Sequence, residues 1–257
     1  MNPLVLHIPH ASTAFPAAYE ADFLPSPAVL RQELLRLTDW YADELFAAGA
    51  PADQSIRAGW SRLVVDVERF PDDSRERCAE YGMGATYVRT TRGEVLRELT
   101  PARREEIMQL FYWPHHARLN LAARQRLERF EHCLIIDAHT FPSLALPTQV
   151  DFAAPPEIGL GTEGMHTSAE LLALAERFFR AHGLSVGVDT PFAGTMVPND
   201  YFGKQSRVQS IMVEVRRDLY LHEATGEKHA GFTAMQRLLS EFRLLAEGFA
   251  SRGKSSV

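Results

Sequence analysis

The residues Cys133-Leu134-Ile135-Ile136-Asp137-Ala138-His139-Thr140 form an apolar run that stops at an Asp-x-His pair. Such a run reads as a buried parallel strand that delivers a carboxylate and an imidazole to a crevice at its carboxyl end. These are the groups of a hydrolytic metal site. They also have a structural use, because Asp and Thr commonly end strands and a single His often serves as a hydrogen-bonding group. Company elsewhere favours the metal site: Pro9-His10-Ala11-Ser12 follows one apolar run, Asp66, Glu68 and Arg69 close another, and Glu214 lies in a late one. Two histidines and an acidic group suit zinc with one position left open. A further Glu would deprotonate water there, and an Arg would bind a carboxylate or a developing oxyanion. No HExxH and no Cys-x-x-Cys occurs, so convergence carries the reading.

The elements that must position these groups alternate along the chain. Residues 4–8, 63–67, 133–140, 184–188 and 210–215 read as strands, and helical spacing runs through Leu30, Leu34, Leu37, Tyr41 and Leu45. Thr100-Pro101 starts a helix reaching about Tyr112, a second spans roughly 114–130, Thr167 or Ser168 caps a third to Ala181, and 232–248 closes the chain. This βα alternation predicts an α/β fold with a largely parallel sheet covered on both faces. Its strands then empty onto one edge.

Composition limits the partners. With 257 residues, 46% hydrophobic and 23% charged, the chain suffices for one large domain, read as residues 1–250 with a disordered tail at 251–257. A net charge of -6 argues against nucleic acid and acidic membranes. Only Cys78 and Cys133 occur, the latter inside an apolar run, so a reducing compartment is favoured over a disulfide framework. No apolar stretch of ~18 residues is present, and a cytoplasmic protein acting on a small molecule is expected. Nothing in the sequence sets its oligomeric state.

His10 in Ile8-Pro9-His10-Ala11-Ser12, Thr38-Asp39-Trp40, Val65-Asp66-Val67-Glu68-Arg69, Pro114-His115-His116, Asp137-Ala138-His139-Thr140 and Val213-Glu214-Val215-Arg216-Arg217-Asp218-Leu219-Tyr220 stand in an order that resembles the N-formylglutamate amidohydrolase (deformylase) family. The resemblance covers nearly the whole chain. It implies a three-layer α/β/α, phosphorylase/hydrolase-like fold with a mostly parallel mixed sheet, related to zinc carboxypeptidases and aspartoacylase. It also implies hydrolysis of an N-acyl amide, with an N-formylglutamate-type substrate giving glutamate and formate. Carried over by position, His10 and His139 become ligands of one zinc or other divalent ion, Asp137 their outer neighbour, and Glu214 the general base. The third ligand is assigned to Asp39, because Thr13 stands where related carboxypeptidases place a Glu. If residues 30–46 are one helix, Asp39 is a solvated face residue; if Thr38 breaks it, Asp39 can turn inward. Arg69, Arg217 and Tyr201 are placed at the substrate and His116 at the oxyanion. Arg217 as a salt-bridge residue and His116 as a solvent-facing helix-start residue remain alternatives, as does Glu214 as a solvent-facing strand residue.

Departures from the family pattern bear on substrate. Glu68 replaces an Asn beside Arg69, Asn199 stands roughly where an Arg is expected, and Thr140-Phe141-Pro142-Ser143-Leu144 lacks a basic residue. These losses leave a monocarboxylate N-acyl amino acid as open as a dicarboxylate. An aspartoacylase-like or peptidase-like deacylase and a non-catalytic binding protein are the competing readings. A serine hydrolase is disfavoured, because no Gly-x-Ser-x-Gly elbow is present.

Overall fold

The computed structural model describes residues 2–144 and 155–252. In chain order its elements are β1 (Leu4–Ile8), α1 (Pro27–Leu37), α2 (Ala42–Phe46), β2 (Ser55–Arg57), α3 (Pro101–Ile107), α4 (Trp113–Phe130), β3 (Cys133–Phe141), β4 (Ile158–Gly161), α5 (Ala169–Ala181), β5 (Val186–Val188), β6 (Val208–Arg216), β7 (Leu221–His222), β8 (Glu227–Lys228) and α6 (Phe232–Arg252). Three helices start on side-chain caps that the local sequence supplies. Ser26, Thr100 and Ser168 accept bonds from the amides of Val29, Arg103 and Leu171, and Pro occupies the first turn of α1 and α3.

The main sheet has the order β2-β1-β3-β6-β4-β5. Its pairs are parallel except β4 against β6. One face carries Leu4, Leu6, Ile8, Leu134, Ile136, Ala138, Ile211, Val213 and Val215, packed under α2, α5 and α6. The other carries Val5, Cys133, Ile135 and Val208 under Leu119, Ala122 and Ala123 of α4. The molecule is therefore a three-layer α/β/α fold with a mostly parallel mixed sheet.

Four local differences from the sequence reading have physical causes. Residues 63–67 form turns rather than a strand, with the Val64 and Val65 amides bonded back to Ser61. They are apolar because they are buried against α1, Tyr87 and Leu96 and under the Tyr112 layer, not because a sheet covers them. The strand beside β1 is instead the short, polar β2. Helical spacing across 30–46 is interrupted, because Thr38 is extended, Asp39 N–H bonds to the His10 carbonyl and Tyr41 is left-handed. Finally, α6 runs through Arg252, so Ser251 and Arg252 are helical; residues 253–257 lie outside the described residues.

A π-turn, Met108–Tyr112, joins α3 to α4. Pro114 explains it: proline has no N–H and its ring crowds the carbonyl four residues back, so the helix widens there. The Trp113 amide reaches Met108 O, five residues back.

Candidate active site

On the α4 side of the sheet the apolar layer gives way to polar groups as the strands approach their carboxyl ends. The register pairs His7 with Asp137 and His139 with Glu214. His10 follows β1, and the break at Thr38 turns Asp39 inward beside it. His10, Asp39, Asp137, His139 and Glu214 open onto a cleft of about 900 Å3 that is also lined by Glu68, Arg69, Tyr87, Tyr112, His116, Thr140 and Asn199. One rim depends on Gly161. A Cβ there would lie 2.0 Å from the Gly194 carbonyl and 2.5 Å from Met212 Cε, so only glycine lets the 192–197 segment close over the sheet. That segment delivers the Met196 amide to Asp137 Oδ2 at 2.8 Å.

His10, Asp39 and His139 are buried, and their ligand-capable atoms lie within 4.8 Å of one another. Asp39 Oδ2 is 3.1 Å from His139 Nδ1 and 3.6 Å from His10 Nδ1. The far nitrogens face carboxylates: His10 Nε2 is 2.8 Å from Asp66 Oδ1 and His139 Nε2 is 3.1 Å from Asp137 Oδ1. A carboxylate accepts, so each Nε2 holds a proton; without an ion His139 Nδ1 also donates to Asp39 Oδ2, and a bound cation would take the place of that proton and use the Nδ1 lone pairs of both rings. His10 Nδ1 has no hydrogen-bond partner among the described residues. Two imidazole lone pairs and a carboxylate, each histidine backed by an outer carboxylate, match a zinc donor set with one position open.

The outer groups are held in turn. Asp66 accepts from Arg62 Nε and Nη2, the Tyr87 hydroxyl and the Glu68 amide as well as His10. Burial works against its ionisation, but Arg62 and His10 hold the carboxyl well below the usual range. Fully buried Arg97 donates to the Val64 and Tyr87 carbonyls and fixes the turn that carries Asp66. Burial likewise opposes ionisation of Asp39, which His10 and His139 pull strongly down, and of Asp137, which His139 and His7 pull down. His139 is disfavoured as a cation by burial yet held well above its ordinary value by Asp137, Asp39 and Glu68. The same negative surroundings attract a metal cation. Glu214 differs: burial pushes it up to about 8, with His139 opposing and Asp39 adding to the rise. Its Oε2 is buried with no hydrogen-bond partner among the described residues.

The cleft brings His10, Asp39, His139, Asp137, Glu214, Arg69, His116 and Arg217 together. Arg69 is accessible: its nearest carboxylates are Asp66 at 3.6 Å and Glu76 at 3.9 Å, and its Nε has no hydrogen bond among the described residues. Arg217 lines the cleft, but its guanidinium is engaged within the protein at all three nitrogens. It donates to Thr140 Oγ1, the Thr140 and Arg36 carbonyls and Asp39 Oδ1, which locks the Asp39 carboxylate. His116 does not suit an oxyanion donor, because its Nε2–H is used by the Val67 carbonyl at 3.0 Å. Burial pushes that ring down to about 4, so Nδ1 stays unprotonated. Tyr201 packs beside the Leu119 cluster and is not among the cleft-lining residues. Residues missed in the sequence include His7 and His115, with Arg62 and Tyr87 around Asp66. His7 carried a signal, since an imidazole inside Leu4-Val5-Leu6-His7-Ile8 is as anomalous as Asp137 in β3.

The sequence model of the N-formylglutamate amidohydrolase family matches residues 2–221. Among solved structures, an N-formylglutamate amidohydrolase from Ralstonia eutropha JMP134 is 25% identical, with a TM-score of 0.84 over 98% of this chain and 95% of that chain. A gene product of Agrobacterium tumefaciens shares the fold at 19% identity and a TM-score of 0.64, covering 96% and 92%. No curated protein matches significantly. With the family match spanning most of its length, the chain belongs to the N-formylglutamate amidohydrolase family.

Proposed function

We propose that the protein is a zinc-dependent amidohydrolase that removes the formyl group from an N-formylglutamate-type substrate, giving glutamate and formate. The observation that carries this reading is the convergence of His10 Nδ1, His139 Nδ1 and Asp39 Oδ2, with Asp66 and Asp137 behind them and Glu214 in register with His139. When bound there, zinc supplies Lewis acidity, polarising the amide carbonyl and making water acidic enough to attack near neutral pH. Glu214 Oε2, with no competing hydrogen bond among the described residues, takes the proton of the attacking water and returns it to the leaving nitrogen. Arg69 holds the amino-acid carboxylate and so fixes the scissile bond. Arg217 keeps Asp39 oriented throughout.

A second carboxylate on the substrate needs a second cation, for which Arg75 and Lys204 line the same cleft. A monocarboxylate N-acyl amino acid is the second reading, favoured by Asn199 beside His116 and by Arg217 being spent on Asp39. Metal analysis of protein purified without chelator, coupled to assays on N-formylglutamate, N-formylaspartate and neutral N-formyl and N-acetyl amino acids, separates the readings. One zinc per chain and highest kcat/KM on N-formylglutamate are expected. Equal turnover of neutral N-formyl substrates selects the second reading, and preference for N-acetyl substrates an aspartoacylase-like deacylase. No metal and no turnover of any substrate identifies a binding protein and overturns the proposal.

A further inference from the structure

His7 is fully buried in β1 and lies behind the donor set. Its Nδ1 is 2.8 Å from Asp137 Oδ1 and 3.0 Å from Glu68 Oε1. The first contact is a well-directed hydrogen bond. The second is an off-axis ion pair, and Glu68 Oε1 has no directed donor among the described residues. On the other side, His7 Nε2 is 2.8 Å from His115 Nε2, and His115 Nδ1 is 3.4 Å from Arg118 Nη2.

These contacts place a proton on His7 Nδ1. A guanidinium only donates, so His115 presents a lone pair at Nδ1 and its proton at Nε2. That proton points at His7 Nε2 and leaves the His7 proton on Nδ1. If His7 is instead an imidazolium, its Nε2–H donates to His115 Nε2, the His115 proton sits on Nδ1, and His7 Nδ1 is protonated as well. The remaining tautomer would aim a buried lone pair at two carboxylate oxygens, an arrangement a desolvated site strongly disfavours.

We propose that His7 is a positioning residue of the active centre, whose Nδ1 proton fixes Asp137 behind His139 and holds Glu68 beside Arg69. The role rests on the metal reading above. Three donors then set the Asp137 carboxylate: His7 and His139 at Oδ1 and the Met196 amide at Oδ2. Glu68 is drawn by its side chain to His7 and by its amide to Asp66 Oδ1. One imidazole therefore sets the metal side and the substrate side of the cleft together.

The test exploits shape. The amide nitrogen of Asn overlays imidazole Nδ1, whereas that of Gln overlays Nε2. His7→Leu and His7→Gln should weaken zinc binding about 10–100-fold in chelator competition, and His7→Asn should recover most of that loss, with thermal unfolding of the metal-free proteins reporting folding. Undiminished affinity in a folded His7→Leu, or an Asn variant no better than Gln, overturns the proposal. So does wild-type protein that binds two zinc ions and loses one in His7→Asn, since Nδ1 is then a ligand. If His7→Leu does not fold, nitrogen-15 imidazole spectra of the metal-free wild type decide: a protonated His7 Nδ1 supports the role and an unprotonated one overturns it. Wild type without affinity for zinc would sink the metal reading, and the same spectra would still decide how His7 is held.

Discussion

The two faces of the central sheet are built from alternate residues of the same strands, yet they follow different rules. On the face under α2, α5 and α6, β1, β3 and β6 contribute mainly apolar side chains, with Gln209 and Thr140 towards the strand ends. On the face under α4, the same strands begin with Val5, Cys133, Ile135 and Val208 and end in His7, Asp137, His139 and Glu214. Burial is nearly complete on both. A layer of buried charge is tolerable only because almost every group in it has a partner, and Glu214 Oε2 and His10 Nδ1 are exceptions among the described residues. Groups left unsatisfied inside an otherwise satisfied network are where a substrate and a cation fit.

Substitutions sharpen the contrast, beginning with the largest effect. His139→Ala removes a donor at the centre of the polar face, and metal content and amidase activity should both fall to background, read by metal analysis and formate release. Glu214→Gln keeps the donors but removes the proton acceptor; zinc should remain while kcat falls about 10²–10⁴-fold. Ile136→Ala, on the apolar face, should cost about 2–5 kcal/mol of stability in denaturant unfolding, with zinc affinity unchanged. If zinc affinity drops too, the faces are not independent. Asp66→Asn leaves His10 with a neutral partner and should weaken zinc binding about 10–100-fold.

The smallest effect separates the faces by pH. Glu214 in the metal-free protein is raised to about 8 by burial, so its favourable contribution is complete below the unfolded carboxyl value of about 4.5 and is lost as pH rises through about 8. Metal-free Glu214→Gln should therefore gain stability relative to wild type between pH 5 and 8, about the window bounded by the unfolded and folded values. A pH-independent difference in thermal midpoints would show that Glu214 is not buried as described.

Much of the fold was legible because β3 and β6 are long, β1 is almost wholly apolar, and each carries anomalous polar residues in or near its carboxyl end. What escaped the sequence was whatever a single period does not encode. Residues 63–67 imitate a strand because helices and loops bury them on all sides, whereas Ser55–Arg57 is too short and polar to show as one. Asp39 depended on whether Thr38 broke a helix, and a backbone bond to His10 settles that locally. Arg217 and His116 were found as functional types, but which of their nitrogens were already bonded is a tertiary fact. Tyr201 came from motif order alone, which carries no information about the side of a loop a ring occupies.

The clamp of Arg217 on Asp39, Thr140 and the Arg36 carbonyl bears on how the proposed site would take up an ion. Asp39 is held by a guanidinium, His10 by Asp66 and His139 by Asp137, so each donor has an anchor that does not depend on the cation. Loading such a pocket orders few side chains and little backbone, unlike sites where metal and fold form together. On the metal reading, exchange of one divalent ion for another would be a matter of ion size and hydration rather than refolding, and the metal bound would follow the supply around it.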